Sequence, residues 1–165
     1  MLRAAIRTVL LFGWLNGLSP PGPDSFAIDM AVEVAGARKH AEAEQVALGA
    51  LPKPRVVLEA RTGEPITARW TLRSTDSSAT MRDVLVHFFV VQEESAGQRA
   101  VPDLDKNVAV ESALTMDFKP RDKTQGDLSF VVDKPGAYLL RLETIGAVAG
   151  SDGRDCFAAL DLVIR

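Results

Sequence analysis

The stretch LSFVVDKPGAYLLRLE, from Leu128 to Glu143, decides the fold. Apolar residues alternate in both halves, at positions 128, 130 and 132 and again at 138, 140 and 142. Such alternation places one set of side chains on one face of a sheet. Between the halves, Asp133-Lys134-Pro135-Gly136 has turn chemistry, because proline fixes φ and glycine accepts positive φ. The stretch therefore predicts two strands joined by a tight turn as a hairpin, the second opened by Tyr138, the only tyrosine of the chain.

The turn also resembles the corner that leads into the sixth strand of immunoglobulin-like domains. In that corner a tyrosine hydroxyl donates a hydrogen bond to upstream backbone. The usual spacing is Asp-x-Gly-x-Tyr, whereas Asp133, Gly136 and Tyr138 give Asp-x-x-Gly-x-Tyr, so the match is partial. The resemblance implies a structural role for these three residues, and the alternative is an ordinary turn followed by a strand with a buried tyrosine.

From Arg55 onward, short strand patterns are separated by turn residues. Ile66–Arg73 is the clearest strand, with Trp70 on its apolar face, where burial removes about 200 Å² of surface from water. Seven such strands without a convincing helix predict an all-β, two-sheet antiparallel sandwich of the immunoglobulin-like or fibronectin III-like kind. The predicted strands are 55–60, 66–73, 84–91, 114–119, 128–132, 138–143 and 157–165.

The run GEPITARWTLRSTDSS, residues 63–78, resembles the second strand of bacterial exported immunoglobulin-like adhesion and scaffold domains. The resemblance covers residues 53–165 and rests on pattern, so it implies a fold and no catalytic residues. Residues 28–52 would add an N-terminal strand, from alternation over 28–34, and a connecting segment. Residues 41–50, AEAEQVALGA, fit helix or strand, since alanine and glutamate favour helix while the alternation allows a strand.

The N-terminus has the features of an export signal. Arg3 and Arg7 precede a short apolar run, Thr8–Leu18, which falls below the roughly 20 residues of a membrane span. Ser25-Phe26-Ala27 fits a small-x-small cleavage pattern, with Ile28 as the new N-terminus. Residues 1–27 are thus predicted to be a signal peptide or an uncleaved anchor, which places the protein in the periplasm, at the cell surface or outside the cell. The alternative is a retained N-terminal core helix.

Composition excludes several classes of protein. With 165 residues and 47% hydrophobic content the chain suits one domain, and its net charge of −3 comes without a basic cluster for nucleic acid. A single cysteine, Cys156, forbids an internal disulfide, and with two histidines it argues against a zinc site. No cofactor is expected. The sequence also lacks the motifs of nucleophilic, phosphate-binding or metalloprotease sites, so a non-catalytic protein is expected.

His87 and Cys156 are the candidates for soft-metal chemistry. A blue-copper site needs cysteine, histidine and methionine close together near the last strands, and no histidine follows Cys156. We therefore expect a hydrogen-bonded histidine within the sheet. For Cys156, a buried thiol is favoured over a disulfide between two chains.

Aspartates suggest calcium in two places. The run Asp103–Asn107 begins like a calcium loop but lacks the glycine and the glutamate of an EF-hand, so it is interpreted as a solvated loop. If the fold is immunoglobulin-like, two polar loops meet at one end of the sandwich and offer oxygen ligands for calcium or a polar ligand. The aspartates of this predicted cluster are Asp76, Asp83, Asp152 and Asp155.

The strand Val84–Val91 is apolar on both faces and is predicted to lie centrally in its sheet. If the N-terminal segment leaves its outer face uncovered, the face would suit self-association or a protein partner. Its residues are Leu85, His87, Phe89 and Val91. The predicted function is accordingly an exported, non-catalytic binding or protein-interaction module, and the alternative is a small metal or ligand carrier.

Overall fold

The computed structural model describes residues 26–42, 53–75, 80–145 and 156–165 of the chain. Within them, the chain forms nine strands and one short helix. In chain order these are β1 Phe26–Val34, β2 Ala37–Glu42, β3 Val57–Ala60, β4 Ile66–Ser74, β5 Met81–Glu93, α1 Leu104–Asn107, β6 Val108–Phe118, β7 Lys123–Phe130, β8 Gly136–Ile145 and β9 Cys156–Ile164.

The strands form two sheets with an apolar core between them. One sheet has the order β2-β1-β4-β7 and the other the order β3-β9-β8-β5-β6. The predicted all-β immunoglobulin-like sandwich is confirmed, and seven strands lie between β3 and β9 as expected. The second sheet is not purely antiparallel, because β3 pairs with β9 in parallel.

The stretch that decides the fold crosses between the two sheets. β7 pairs with β4, whereas β8 pairs with β5 and β9, so the predicted hairpin is wrong. The same turn chemistry serves an inter-sheet corner, with Gly136 at φ +152°. Tyr138 is buried, and its hydroxyl donates a 2.9 Å hydrogen bond to the carbonyl oxygen of Lys134. This is the upstream bond that the resemblance to the immunoglobulin corner implied.

Trp70 lies on the inward face of β4 and stacks on Phe88 of the opposite sheet, with ring centroids 5.7 Å apart. Its apolar neighbours along the strand, at positions 66, 68 and 72, are fully buried. The indole covers Gly126 of β7, where an added Cβ would lie 2.6 Å from the ring. Glycine is therefore required where the tryptophan crosses the neighbouring strand.

β1 is an interior strand of the first sheet, paired with β2 on one side and β4 on the other. Its first residue, Phe26, is buried and packs edge-on against Phe118 at 4.8 Å. Cleavage after Ala27 would remove this contact, so a cut before Phe26 fits the fold better. The signal itself falls on residues that the structure does not describe, and so does most of the 41–50 segment.

Three strands begin at least three residues before the predicted start. β6 begins at Val108 and not at Leu114. Residues 123–127 precede the predicted strand 128–132, yet they begin β7 because their backbone pairs with β4. β5 starts at Met81 and not at Val84, and it carries a bulge at Asp83, whose φ is +52°. The turn after β6 is therefore short, and Asp83 lies within a strand and not in a loop.

Candidate functional site

The outer face of the five-stranded sheet is partly covered by the connection between β5 and β6. Phe89, Val91 and Leu139 project onto this face and are at most 1% exposed, because Leu104 of α1 packs on them. The prediction of an exposed interaction face is therefore wrong for Phe89 and Val91. Leu85 is half-buried on the same strand. The cover comes from the connection that contains α1, which lies between the predicted strands 84–91 and 114–119.

Hydrogen bonds within the connection hold it in place. Asp103 caps α1 by accepting a 3.0 Å bond from the amide of Asp105, and it forms an ion pair with Lys106. Gln98 braces the preceding turn: its side chain accepts from the amide of Glu94 and donates to the carbonyl of Ala100. The calcium-like run Asp103–Asn107 thus forms a capped helical turn and not the solvated loop that was expected.

Across the sheet, Arg55 fastens the segment that precedes β3. Its Nε donates to Asp161 Oδ1 at 2.5 Å, and its terminal nitrogen donates to Glu93 Oε1 at 2.7 Å. The Arg55 side chain is 15% exposed, and those of Glu93 and Asp161 are 0% and 2% exposed. One guanidinium therefore ties the segment before β3 to two strands, since Asp161 lies in β9 and Glu93 ends β5.

Glu93 is the most perturbed carboxyl of this cluster. Burial raises its pKa above the ordinary value of 4.5, Arg55 opposes the shift and Asp161 reinforces it. Within the described part of the chain, Glu93 Oε2 is buried without a hydrogen-bond partner. Such an oxygen is more stable protonated or hydrated than as an isolated charge.

Between these two segments the sheet remains open as a groove of about 600 Å³, which we call the β8–β9 groove. Outward side chains of β8 and β9 form its floor. The segment before β3 forms one wall and the turn after β5 forms the other. The lining residues are Lys53, Pro54, Arg55, Val57, Ala96, Gly97, Gln98, Arg99, Val101, Leu139, Arg141, Phe157, Ala159 and Asp161.

A network of paired side chains leads from the edge strand to the floor of the groove. His87 lies 2.8 Å from Glu111 through Nε2 and 3.3 Å from Glu143 through Nδ1. Glu143 also forms a 2.6 Å ion pair with Arg141. The guanidinium carbon of Arg141 lies 3.9 Å from the centroid of the Phe157 ring. Histidine is thus hydrogen-bonded at both nitrogens, as expected, and the arginine is held flat on an aromatic ring.

The groove is positively charged although the whole chain carries a net charge of −3. Among the described residues, four basic side chains and one acidic side chain line it, and Asp161 is already paired with Arg55. Val57 and Val101, on opposite walls, are 42% and 43% exposed. The groove therefore presents cations and apolar surface together, the combination that fixes the orientation of small ligands in pockets.

A second, shallower depression of about 340 Å³ lies on the outer face of the four-stranded sheet. Arg38, Arg69, Asp29 and Asp127 are among its lining residues, so opposite charges balance there. Arg69 is also paired with Glu33 at 3.0 Å. This depression therefore favours neither anions nor cations, and it is less enclosed than the β8–β9 groove.

The sequence-predicted calcium cluster is only partly covered by the structure. Asp76, Asp152 and Asp155 lie outside the described residues, so their convergence stays a prediction. Asp83 is exposed, and its amide donates a 3.0 Å hydrogen bond to Asp117. Within residues 26–42, 53–75, 80–145 and 156–165, no group of three metal-ligating side chains forms.

Cys156 and His40 lie in different sheets. Cys156 is buried at the start of β9, which fits a core thiol better than a bridge between chains. His40 is on β2 of the other sheet, beside Asp29 and Glu42. In the part of the chain that the structure describes, no helix has the length and apolar character needed to cross a membrane.

Sequence reasoning missed the groove residues Arg55, Arg99 and Arg141. Each lies beside apolar residues in an ordinary alternating or polar run, so neither its type nor its spacing signals a site. One available clue was that Phe89 and Val91 need a cover, which the long connection after β5 could supply.

Comparisons with known proteins add a remote likeness in fold. No protein-family model and no curated protein matches the chain. Similar solved structures include the C-terminal domain of Wzt, with 12% identity, coverage of 86% of this chain and 74% of that one, and a TM-score of 0.48. The CARDB domain of a Pyrococcus furiosus protein shows 10% identity, coverage of 83% and 94%, and a TM-score of 0.41. The PmoD soluble domain from a Methylocystis species shows 11% identity, coverage of 84% and 90%, and a TM-score of 0.42. These similarities carry no argument about function.

Proposed function

We propose that the protein is an exported, non-catalytic binding module whose ligand occupies the β8–β9 groove. The observation that carries the proposal is a cavity of about 600 Å³ whose floor is formed by strands. Pockets for small ligands span about 300–1,000 Å³ and are usually formed before the ligand arrives.

Interactions that hold both walls in place favour a preformed binding site over a loose surface cleft. Arg55 ties one wall to two buried carboxylates, and Gln98 braces the other. Leu104 anchors the same connection on the apolar outer face. The groups that contact a ligand would therefore already be in place, so ordering the loops would cost little of the binding free energy.

Amide-resolved NMR titration with a panel of soluble aromatic amides, acids and amines tests the groove as the binding site. We expect the largest changes in amide chemical shift at residues 96–101 and 157–161. Ala159→Trp would fill the floor and remove these shifts. Ala113→Trp is the matched control, because Ala113 is exposed on β6 of the same sheet and does not line the groove. Shifts that survive Ala159→Trp, or that arise only elsewhere, would contradict the proposal.

Export rests on the N-terminal sequence and has its own test. Fractionation of the producing cells, followed by mass spectrometry of the N-terminal peptide, should recover the protein outside the cytoplasm. If the chain is cut, the cut should precede Phe26, because that side chain belongs to the core. Recovery of the intact chain from the cytoplasm would count against export and leave the groove proposal unchanged.

A further inference from the structure

We infer that the ligand of the β8–β9 groove is a small organic anion, with an oxyanion group attached to an apolar body. This inference rests on the proposed function and adds the chemical class of the ligand. Two properties of the groove support it independently: the charges of its lining and the placement of its apolar surface.

The first property is a positively charged side chain that has no acidic partner among the described residues. Arg55 is neutralised by Asp161 and Glu93, and Arg141 by Glu143. Arg99 is exposed on the wall and forms no ion pair with any described residue. An acidic protein that gathers cations at one groove attracts anions there.

Arg141 lies on the floor of the groove, where its guanidinium is largely buried. Its side chain is 14% exposed, and in the described part of the chain its Nε is buried without a hydrogen-bond partner. Its single carboxylate, Glu143, is shared with His87. Its charge is therefore paired with Glu143, while its Nε–H remains a donor that no described residue accepts.

The second property is the apolar surface between the cations. Val57 and Val101 face the groove from opposite walls and are 42% and 43% exposed. Phe157 and Ala159 continue the apolar surface across the floor. A bare inorganic anion would leave this surface in contact with water, whereas an anion with an apolar body would cover it.

Three probes of nearly equal shape separate charge from shape. Benzoate, benzamide and benzamidine share one ring and carry negative, zero and positive charge. In NMR titrations of the whole protein we expect benzoate to bind the groove at least about fivefold more tightly than benzamide, as for a partly desolvated ion pair. Benzamidine should bind most weakly, and added salt should reduce only the preference for benzoate. Phenyl phosphate, measured alongside, distinguishes a carboxylate from a phosphate preference.

Charge reversal at Arg99 tests the residue that carries the inference. Arg99→Glu should weaken benzoate binding about fivefold and leave benzamide binding unchanged. Arg73→Glu is the control, since Arg73 is exposed on β4 of the other sheet and lies outside the groove. Both positions are on the surface, so both variants should retain the wild-type spectrum outside the substituted region.

The outcomes separate this inference from the proposed function. Equal binding of benzoate and benzamide in the groove would overturn the anion preference and leave the binding site standing. Benzoate shifts located only outside the groove would also overturn the inference. The absence of groove shifts with every probe would overturn both the inference and the proposed function.

Discussion

Glu93→Gln should change how the stability of the protein depends on pH. The carboxyl is fully buried, one oxygen accepts from Arg55 at 2.7 Å, and the other has no partner within the described residues. Burial raises the folded pKa above the ordinary value of 4.5. As pH rises past that value, the unfolded carboxyl loses its proton before the folded one does. The unfolded state then binds fewer protons, so the free energy of unfolding falls.

The magnitude follows from proton linkage. Within the window between the unfolded and folded pKa values, the contribution of Glu93 falls by up to about 1.4 kcal/mol per pH unit, and it is constant above the window. Glutamine keeps the shape and an oxygen that accepts from Arg55, but it does not titrate. The wild-type free energy of unfolding minus that of Glu93→Gln should therefore decrease as pH rises from about 4.5.

Urea unfolding at closely spaced pH values, followed by tryptophan fluorescence, measures this difference. Glu59→Gln gives the baseline, because Glu59 is an exposed carboxylate paired with Arg165. A wild-type-minus-variant difference that is flat or increases with pH would refute the reasoning. It would mean that Arg55 outweighs the loss of hydration at Glu93.

Three further substitutions test the frame around the groove. Tyr138→Phe removes one hydrogen bond and keeps the ring, so urea unfolding should show a loss of about 1 kcal/mol; no loss would mean that the corner does not depend on the hydroxyl. Arg55→Met leaves two buried carboxylates unpaired and should cost about 3–5 kcal/mol at neutral pH by the same assay; a neutral effect would show that the carboxylates are hydrated or protonated. Gly126→Ala should cost about 1–3 kcal/mol and shift the emission of Trp70, since a Cβ would lie 2.6 Å from the indole; unchanged emission would mean that the ring has room to move.

Much of the fold was predictable because half-buried strands carry their pattern locally. Ile66, Ala68 and Leu72 were assigned to one face of β4, and all three are fully buried. The start of β7 was missed because Lys123–Asp127 is polar, and its strand conformation comes from pairing with β4. The hairpin prediction failed for a similar reason. Turn residues permit a reversal, but the two apolar faces decide whether the second strand pairs with the first or joins the other sheet.

Less of the candidate site was predictable. The central position and two-sided apolar character of β5 were clear from Val84–Val91, and so was the hydrogen-bonded nature of His87. The groove depends on residues far apart in sequence, as the bond from Arg55 to Asp161 spans 106 positions. Such a pairing has no local pattern, because each partner alone resembles an ordinary solvated charge.

The parallel pairing of β3 with β9 has a consequence for how the protein is made. β9 lies between β3 and β8, so the edge that carries Arg55 has no strand to join until β9 has been synthesised. Contacts between distant parts of a chain form slowly, because a long loop must close before they contribute stability. During synthesis the first sheet can assemble early, whereas the groove is completed last. We therefore expect folding intermediates that are compact, carry β1 and β4, and have no ligand site.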